Sequence, residues 1–407
     1  MKNLKEILLF LIFFIIFYLE PLEIFKIKFA IIWKFFLFVF LIFKYKKIFK
    51  VADKISQYGF LYTVKNIFNL SLLKYPVQNL YHTIVIFNFP FFYNVFRNNL
   101  NPKKIIILIK RLSIFTIISS IPFYLHFLEP LGRAYQISNY DTSYNASETG
   151  YVGIFQTPHA ASIITSFAVI NLIYFYRQER KLSFLITALL GIFNVYLTYV
   201  RTGYVIVTIG LMIITLLGTK FYEKFRVFLL GIIAIIILLN FIDTELLMNR
   251  LFNINKYNID NRTINYNVEA LSSGRTLFWI VNITKWWESN ILLKTFGFGE
   301  EVAKDNMEQT IGMRLFSHNG FVDSFIENGI IGLLLFLGIF YYIFKLVIYN
   351  KGSTFFKLGI ATFIMFILMN IFQGGYYFLM EIFIALNLSL LDNNLISNSK
   401  TINIKTR

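Results

Sequence analysis

Residues 317–344, SHNGFVDSFIENGIIGLLLFLGIFYYIF, begin with a histidine, an asparagine and two carboxylates, then pass without a break into hydrocarbon. From Gly329 to Phe344 no residue is charged, and the apolar run over 329–348 reaches the length of roughly 20 residues that crosses about 30 Å of bilayer. Ahead of it, Phe321, Val322 and Phe325 fall on one helical face while Asn319, Asp323 and Glu327 fall on another. The stretch therefore predicts a short amphipathic helix that delivers polar side chains to a membrane surface, with Gly329 and Gly332 marking where the span begins.

The rest of the chain agrees with that reading. Of 407 residues, 57% are hydrophobic and only 15% charged, with 48 Phe, and mean hydropathy is +0.62; a soluble surface has no room for so much apolar side chain. The net charge of +17 does not point to nucleic acid, because Lys and Arg lie in short clusters between apolar runs rather than on one soluble face. There is no cysteine, hence no disulfide framework, thiolate nucleophile or cysteine metal site.

Apolar runs near 5–19, 29–43, 77–96, 105–127, 159–176, 182–200, 203–219, 227–242, 329–348, 354–372 and 375–391, with a weaker one near 57–73, predict an all-α polytopic membrane protein of about 12 transmembrane helices. The run at 57–73 contains Lys65 and reads equally as an interfacial or re-entrant helix. Basic clusters at 44–54, 97–111, 177–181, 220–226 and 345–357, and in the tail, all fall on one side of this arrangement, which the positive-inside rule makes cytoplasmic. The opposite side receives one long external loop between spans 9 and 10, residues 243–328, which holds 11 of the 22 Asp and Glu. Four regions result: N-terminal helices over 1–128, core helices over 129–242, the external loop over 243–328, and three C-terminal helices with a cytoplasmic tail over 329–407. Within the loop, SSGRTLFWIVNITKWWES at 272–289 predicts a helix capped by Ser272 or Ser273 whose stripe of Trp279, Ile283 and Trp286 suits either the membrane interface or the protein's own core.

Three basic side chains share the external side. Arg201, in YVRTGYV, stands between two spans where Thr202 and Gly203 allow a reversal; an arginine there either snorkels or pairs with an anion. Arg275 and His318 lie in the loop. A histidine at a helix N-terminus is biased towards its neutral form, which makes His318 either a general base or a cap. Two guanidinium forks with one neutral imidazole suit a diphosphate, since the forks bind phosphoryl oxygens and offset leaving-group charge. Glu327 is the alternative base, although on one straight helix it lies about 900° of rotation from His318, on the opposite face. No phosphate loop, nucleophile elbow or paired-histidine zinc motif occurs, and His82, His126, His159 and His318 are too scattered in sequence to suggest a metal site, so no metal or other cofactor is expected.

SHNGFVDSFIENGIIGLLLFLGIFYY, preceded by SSGR and by YVRTGYVIVTIGLMIITLLG, resembles the shared core of the O-antigen ligase and polymerase superfamily of bacterial surface-polysaccharide enzymes, over roughly residues 150 to 350. GYVGIFQTPHAASIITSFAVINLIYFY at 150–176 adds a further match, with His159 where asparagine is more usual. The resemblance implies both termini in the cytoplasm, an inner-membrane location with an active site on the external face, and metal-independent glycosyl transfer from a polyprenyl-diphosphate-linked oligosaccharide. It further implies that Arg201 and Arg275 hold the diphosphate while His318 lies beside the acceptor hydroxyl. Membrane lipids and a chain-length regulator protein are the expected partners. The favoured reading is polymerisation of repeat units into O-antigen, capsule or exopolysaccharide; a ligase transferring polymer to a lipid A core is the alternative. A lipid-linked oligosaccharide transporter is the reading from another class, although its repeated halves and mid-span charges are not evident in the sequence.

Overall fold

Proline and short polar side chains punctuate the chain into helices. Pro76, Pro102 and Pro158 stand at the first turns of three of them, where the missing N–H costs nothing. Asn101 accepts from Lys104 N at 2.9 Å, Thr157 from Ala160 N at 3.2 Å and Asn290 from Leu293 N at 2.9 Å, each satisfying an orphaned helix-start donor. In this computed structural model the protein is described over residues 2–24, 27–45, 51, 53–131, 150–218, 275–312, 314 and 317–405.

Among the described residues, helices α1 (Lys2–Tyr18), α2 (Phe29–Lys44), α3 (Lys54–Ile67), α4 (Leu70–Lys74), α5 (Pro76–Asn99), α6 (Pro102–Ile118) and α7 (Ile121–Tyr124) form the N-terminal part. α8 (Pro158–Glu179), α9 (Leu182–Leu197) and α10 (Arg201–Leu216) follow, then α11 (Arg275–Glu288), α12 (Ile291–Phe296) and α13 (Glu300–Ile311). α14 (Gly320–Tyr349), α15 (Phe356–Phe372) and α16 (Phe378–Lys405) close the chain. The strands among the described residues are a two-residue antiparallel pair, Glu23–Ile24 with Ile27–Lys28, so the all-α expectation holds there.

Among the described residues, three helical segments are long and apolar enough to cross a membrane: Pro102–Tyr124, Pro158–Glu179 and Gly320–Tyr349. Shorter apolar helices occur at Ile7–Tyr18, Leu182–Leu197, Arg201–Leu216 and Phe356–Phe372. Large apolar side chains such as Leu189 and Leu334 are exposed along these helices, as are Phe36 and Phe43 on α2, the pattern of surfaces that face hydrocarbon rather than water. The predicted span at 227–242 lies outside the described residues, as does most of the loop ahead of Arg275.

Two expectations change in detail. The weak run at 57–73 is not one span: α3 stops at Ile67, and α4 starts after Asn69. α3 buries Ser56, Thr63, Lys65 and Asn66 against its neighbours rather than presenting an apolar cylinder. The run at 375–391 becomes α16, buried from Phe378 to Asn393 and threaded through the bundle centre. There Asn387 donates to Asn171 at 3.0 Å and to Thr362 at 2.9 Å, tying α16 to α8 and α15.

One end of the bundle gathers Asp53, Arg97 and Asp392 through the Arg97 ion pairs, with Asn393 donating to the Leu100 carbonyl at 3.3 Å. The other end gathers the turns after α3, α9 and α15 with α11 to α13, because Lys65 donates to the Phe296 carbonyl at 2.7 Å and Tyr75 to Asp305 at 2.6 Å. The candidate site lies at this second end.

Candidate functional site

The reversal before Arg201 is made by Thr198–Val200 rather than by Thr202 and Gly203. Tyr199 takes a left-handed φ of 51°, and Thr198 donates its hydroxyl to the Val195 carbonyl at 2.6 Å. Thr202 and Gly203 already belong to α10, which starts at Arg201. Gly203 serves packing instead: an added Cβ would collide with Ser162 Oγ, so only glycine lets the start of α10 approach α8. Arg201 is half-buried at that junction. His159, in the first turn of α8, lies one turn before Ser162.

The SHNG turn is built as a helix cap. Asn319 accepts from Phe321 N at 3.0 Å and Val322 N at 3.1 Å, and its amide donates to the Ile371 carbonyl at 3.1 Å. Ser317 donates to Asp323 through its backbone N–H at 3.0 Å and its hydroxyl at 2.5 Å. Between them His318 adopts φ 56°, uncommon outside glycine, so capping falls to Asn319 and the imidazole is released from that duty.

α11 closes over this turn. Trp279 donates to the Ser317 carbonyl at 2.8 Å, and the Phe278 ring lies 6.4 Å from that of His318. Trp286 is buried 4.2 Å from the Phe325 ring, so these two tryptophans pack on the protein, whereas Ile283 and Trp287 of the same helix are exposed. Arg275, first residue of α11, donates to the Phe372 carbonyl and, at 3.3 Å, to Gln373 Oε1 at the end of α15. Burial, with the Arg275 guanidinium and then His159 beside it, pushes His318 down to about 3, so its imidazole is neutral at any physiological pH. The sequence suggested the helix dipole for the same outcome; burial and Arg275 are the stronger causes.

Glu327 does not join this group. α14 kinks at Gly329, whose φ of 64° and ψ of −167° leave the helix; an added Cβ there would also collide with the Thr295 carbonyl. The break frees the carbonyls of Ile326 and Glu327 to accept from Phe298 N at 2.9 Å and Gly299 N at 2.8 Å. The Glu327 carboxylate turns into a second polar centre, 3.1 Å from His82 Nε2, while His82 Nδ1 lies 2.5 Å from Glu300. Lys304 extends the centre, 2.6 Å from Glu300 and 2.9 Å from Glu301. Burial alone would raise Glu300, but His82 and Lys304 hold it well below the ordinary carboxylate range.

The structure thus brings His318 and Arg275 together with His159, sets Arg201 at the neighbouring end of α10, and separates Glu327 from them. His159 and the partners His82 and Glu300 carry no role in the sequence reading. For His159 a signal was present, since a histidine directly after a capped proline is fixed at a helix mouth. For His82 there was none, because Glu327 lies 245 residues away in sequence.

Residues 185–337 match the family model described as O-antigen ligase, a segment that contains Arg201, Arg275, His318 and Glu327 and leaves α1 to α8 outside it. The curated proteins show no match to the chain. The family match bears out the resemblance to the O-antigen ligase and polymerase superfamily, whose reaction type is glycosyl transfer at a membrane, and the apolar helices agree with membrane residence.

Proposed function

We propose that the protein polymerises polyprenyl-diphosphate-linked oligosaccharide repeat units into O-antigen, capsular or exopolysaccharide at the external face of a bacterial inner membrane. The observation that carries this reading is the meeting of Arg275 with a neutral His318 under α11. In it, Arg201 and Arg275 bind the donor diphosphate, and their forks offset the charge that builds on the departing phosphate. An acceptor sugar hydroxyl attacks the anomeric carbon, the bond from that carbon to the diphosphate oxygen breaks, and the hydroxyl proton passes to His318. One direct displacement inverts the anomeric centre.

A base at about 3 is weak, but part of that depression comes from Arg275. A bound diphosphate offsets the arginine charge and places an anion near the ring, so the donor itself raises the proton affinity of His318 when a base is needed. Glu327, held by His82, is part of a structural clamp in this scheme and not the base.

The test is a gel of surface and lipid-linked polysaccharide from cells lacking the protein, complemented with wild type, His318→Ala or Arg275→Ala. The expected pattern is a ladder restored by wild type and single repeat units with either variant. Long polymer stranded on its polyprenyl carrier would mean a ligase, and a ladder unchanged by deletion would overturn the glycosyl-transfer reading in favour of transport.

A further inference from the structure

A cavity of about 990 Å³ lies between α2, α3, α5 and α8, on the side of the molecule away from α10. That volume sits at the upper end of the roughly 300–1,000 Å³ typical of small-molecule pockets. Its shape follows the helices: it is lined from Ile31 to Ile42 on α2 and from Tyr81 to Phe91 on α5, about 15 Å of helix in each case at about 1.5 Å per residue. The walls are aliphatic and aromatic, and lining side chains Phe35, Leu61, Val64 and Ile84 are exposed, so the cavity is a groove open along its flank.

One end is polar. Glu20 and Lys34 pair there at 2.5 Å, and Gln156 and Thr157 add polar groups to the lining. Gln156 and Thr157 lead directly into His159, and Tyr376 and Tyr377 of the same lining follow Gln373, which holds Arg275. A molecule with a long hydrocarbon chain in the groove would therefore place its head group at the approach to the candidate site.

The face of α8 decides which molecule this is. Ala160 and Ile164 line the groove, whereas Ser162 abuts Gly203 of α10 and Ser166 donates to the Gly203 carbonyl at 3.4 Å. At about 100° per residue these two pairs lie about 200° apart, on opposite faces of the helix. α10 begins at Arg201, so α8 stands between the groove and that arginine.

We propose that this groove holds the isoprenoid chain of the second lipid-anchored substrate, the acceptor, which approaches the site across α8 from the donor. The proposal rests on the glycosyl-transfer reading above and deepens it, because an acceptor that carries its own polyprenyl anchor is what polymerisation requires.

The test is photolabelling of the full chain in nanodiscs of phosphatidylethanolamine and phosphatidylglycerol with a long-chain polyprenyl monophosphate bearing a diazirine near its chain end. Labelled peptides are expected from α2, α3 and α5, competed by unlabelled polyprenyl phosphate and not by extra phosphatidylglycerol. Ile84→Trp and Val64→Trp, at exposed positions on the groove flank, should each lower labelling about tenfold, whereas Arg275→Ala should leave it unchanged. Labelling spread over the outer faces of α1 and α9, or competed equally by phosphatidylglycerol, would show only bulk lipid and overturn the proposal. Loss of labelling in Arg275→Ala would give the groove to the donor and overturn it as well. Because the readout is binding, the two readings fail separately. A ladder that depends on Arg275 with an unlabelled groove retires the groove alone. A groove that labels specifically in a protein whose deletion leaves the ladder intact retires glycosyl transfer and the acceptor assignment with it.

Discussion

Two histidines at the same end of the bundle sit in opposite electrostatic surroundings. His82 has a carboxylate oxygen at each ring nitrogen, 2.5 Å from Glu300 and 3.1 Å from Glu327. His318 faces Arg275 and His159, and burial with those neighbours takes it down to about 3. The first centre pairs its charges among its own side chains and joins α5, α13 and α14; the second gathers basic groups around a neutral ring. Self-paired charge suits a clamp, and a guanidinium beside a neutral imidazole suits an anionic ligand.

The largest effect should fall on the His318 side of that contrast. His318→Ala is expected to lower polymerisation by purified protein about 10²–10⁴-fold, the usual contribution of a general base, with little change in thermal unfolding. The pH profile sharpens the point. An ordinary histidine at 6.5 would recruit base as pH rises through that value, but His318 at about 3 is already neutral. The kcat/KM profile should therefore show no rise centred near 6.5, and such a rise would reverse the assignment.

Glu327→Ala tests the clamp. Removing one partner of a buried ion pair costs about 3–5 kcal/mol, so thermal unfolding should drop sharply and activity should fall only with the folded fraction. If Glu327→Ala instead left stability intact and abolished turnover, Glu327 would be the base and the contrast between the two centres would collapse. Acid should act in the same direction. Glu300, depressed below its ordinary 4.5 in the fold, contributes stability that is present above that pH and is lost progressively below it.

How much of this was legible in the sequence follows from the range of each interaction. The apolar runs announced the helices, and the loss of charge at Gly329 marked the place where α14 kinks, because both are local signals. For Glu327 the straight-helix projection sets it opposite His318, as the structure does; what a projection could not show is the break at Gly329 that turns the carbonyls of Ile326 and Glu327 towards the 297–299 segment. Arg275 and His318 were legible as members of one face, but His159 was passed over and the His82 clamp joins segments far apart in sequence. Pairing at that range leaves no periodicity to read.

Gly329→Ala should have a smaller effect than loss of the clamp. The left-handed φ of 64° costs a residue with a side chain about 1–3 kcal/mol, and the crowded Thr295 carbonyl adds to it. Differential scanning calorimetry should show a lower Tm. An unchanged Tm would mean that the kink is not enforced by glycine, and the reason given for the position of Glu327 would fail.

The smallest effect should come from Arg314, the most extensively paired side chain of α13 and the segment that follows it. It lies 2.6 Å from Glu301 and 3.5 Å from Glu308, and also pairs with Asp305, yet its side chain is 38% exposed. Water and salt screen such pairs, and ordering long side chains offsets what remains, so exposed ion pairs contribute about 0–1 kcal/mol. Arg314→Ala should shift Tm slightly at low salt and hardly at all in molar salt, while Glu327→Ala keeps its full penalty in both. Equal losses for the two variants would show that α13 is held by its surface network as much as by the buried His82 centre, and the distinction between a clamp and a solvated ion cluster would have to be given up.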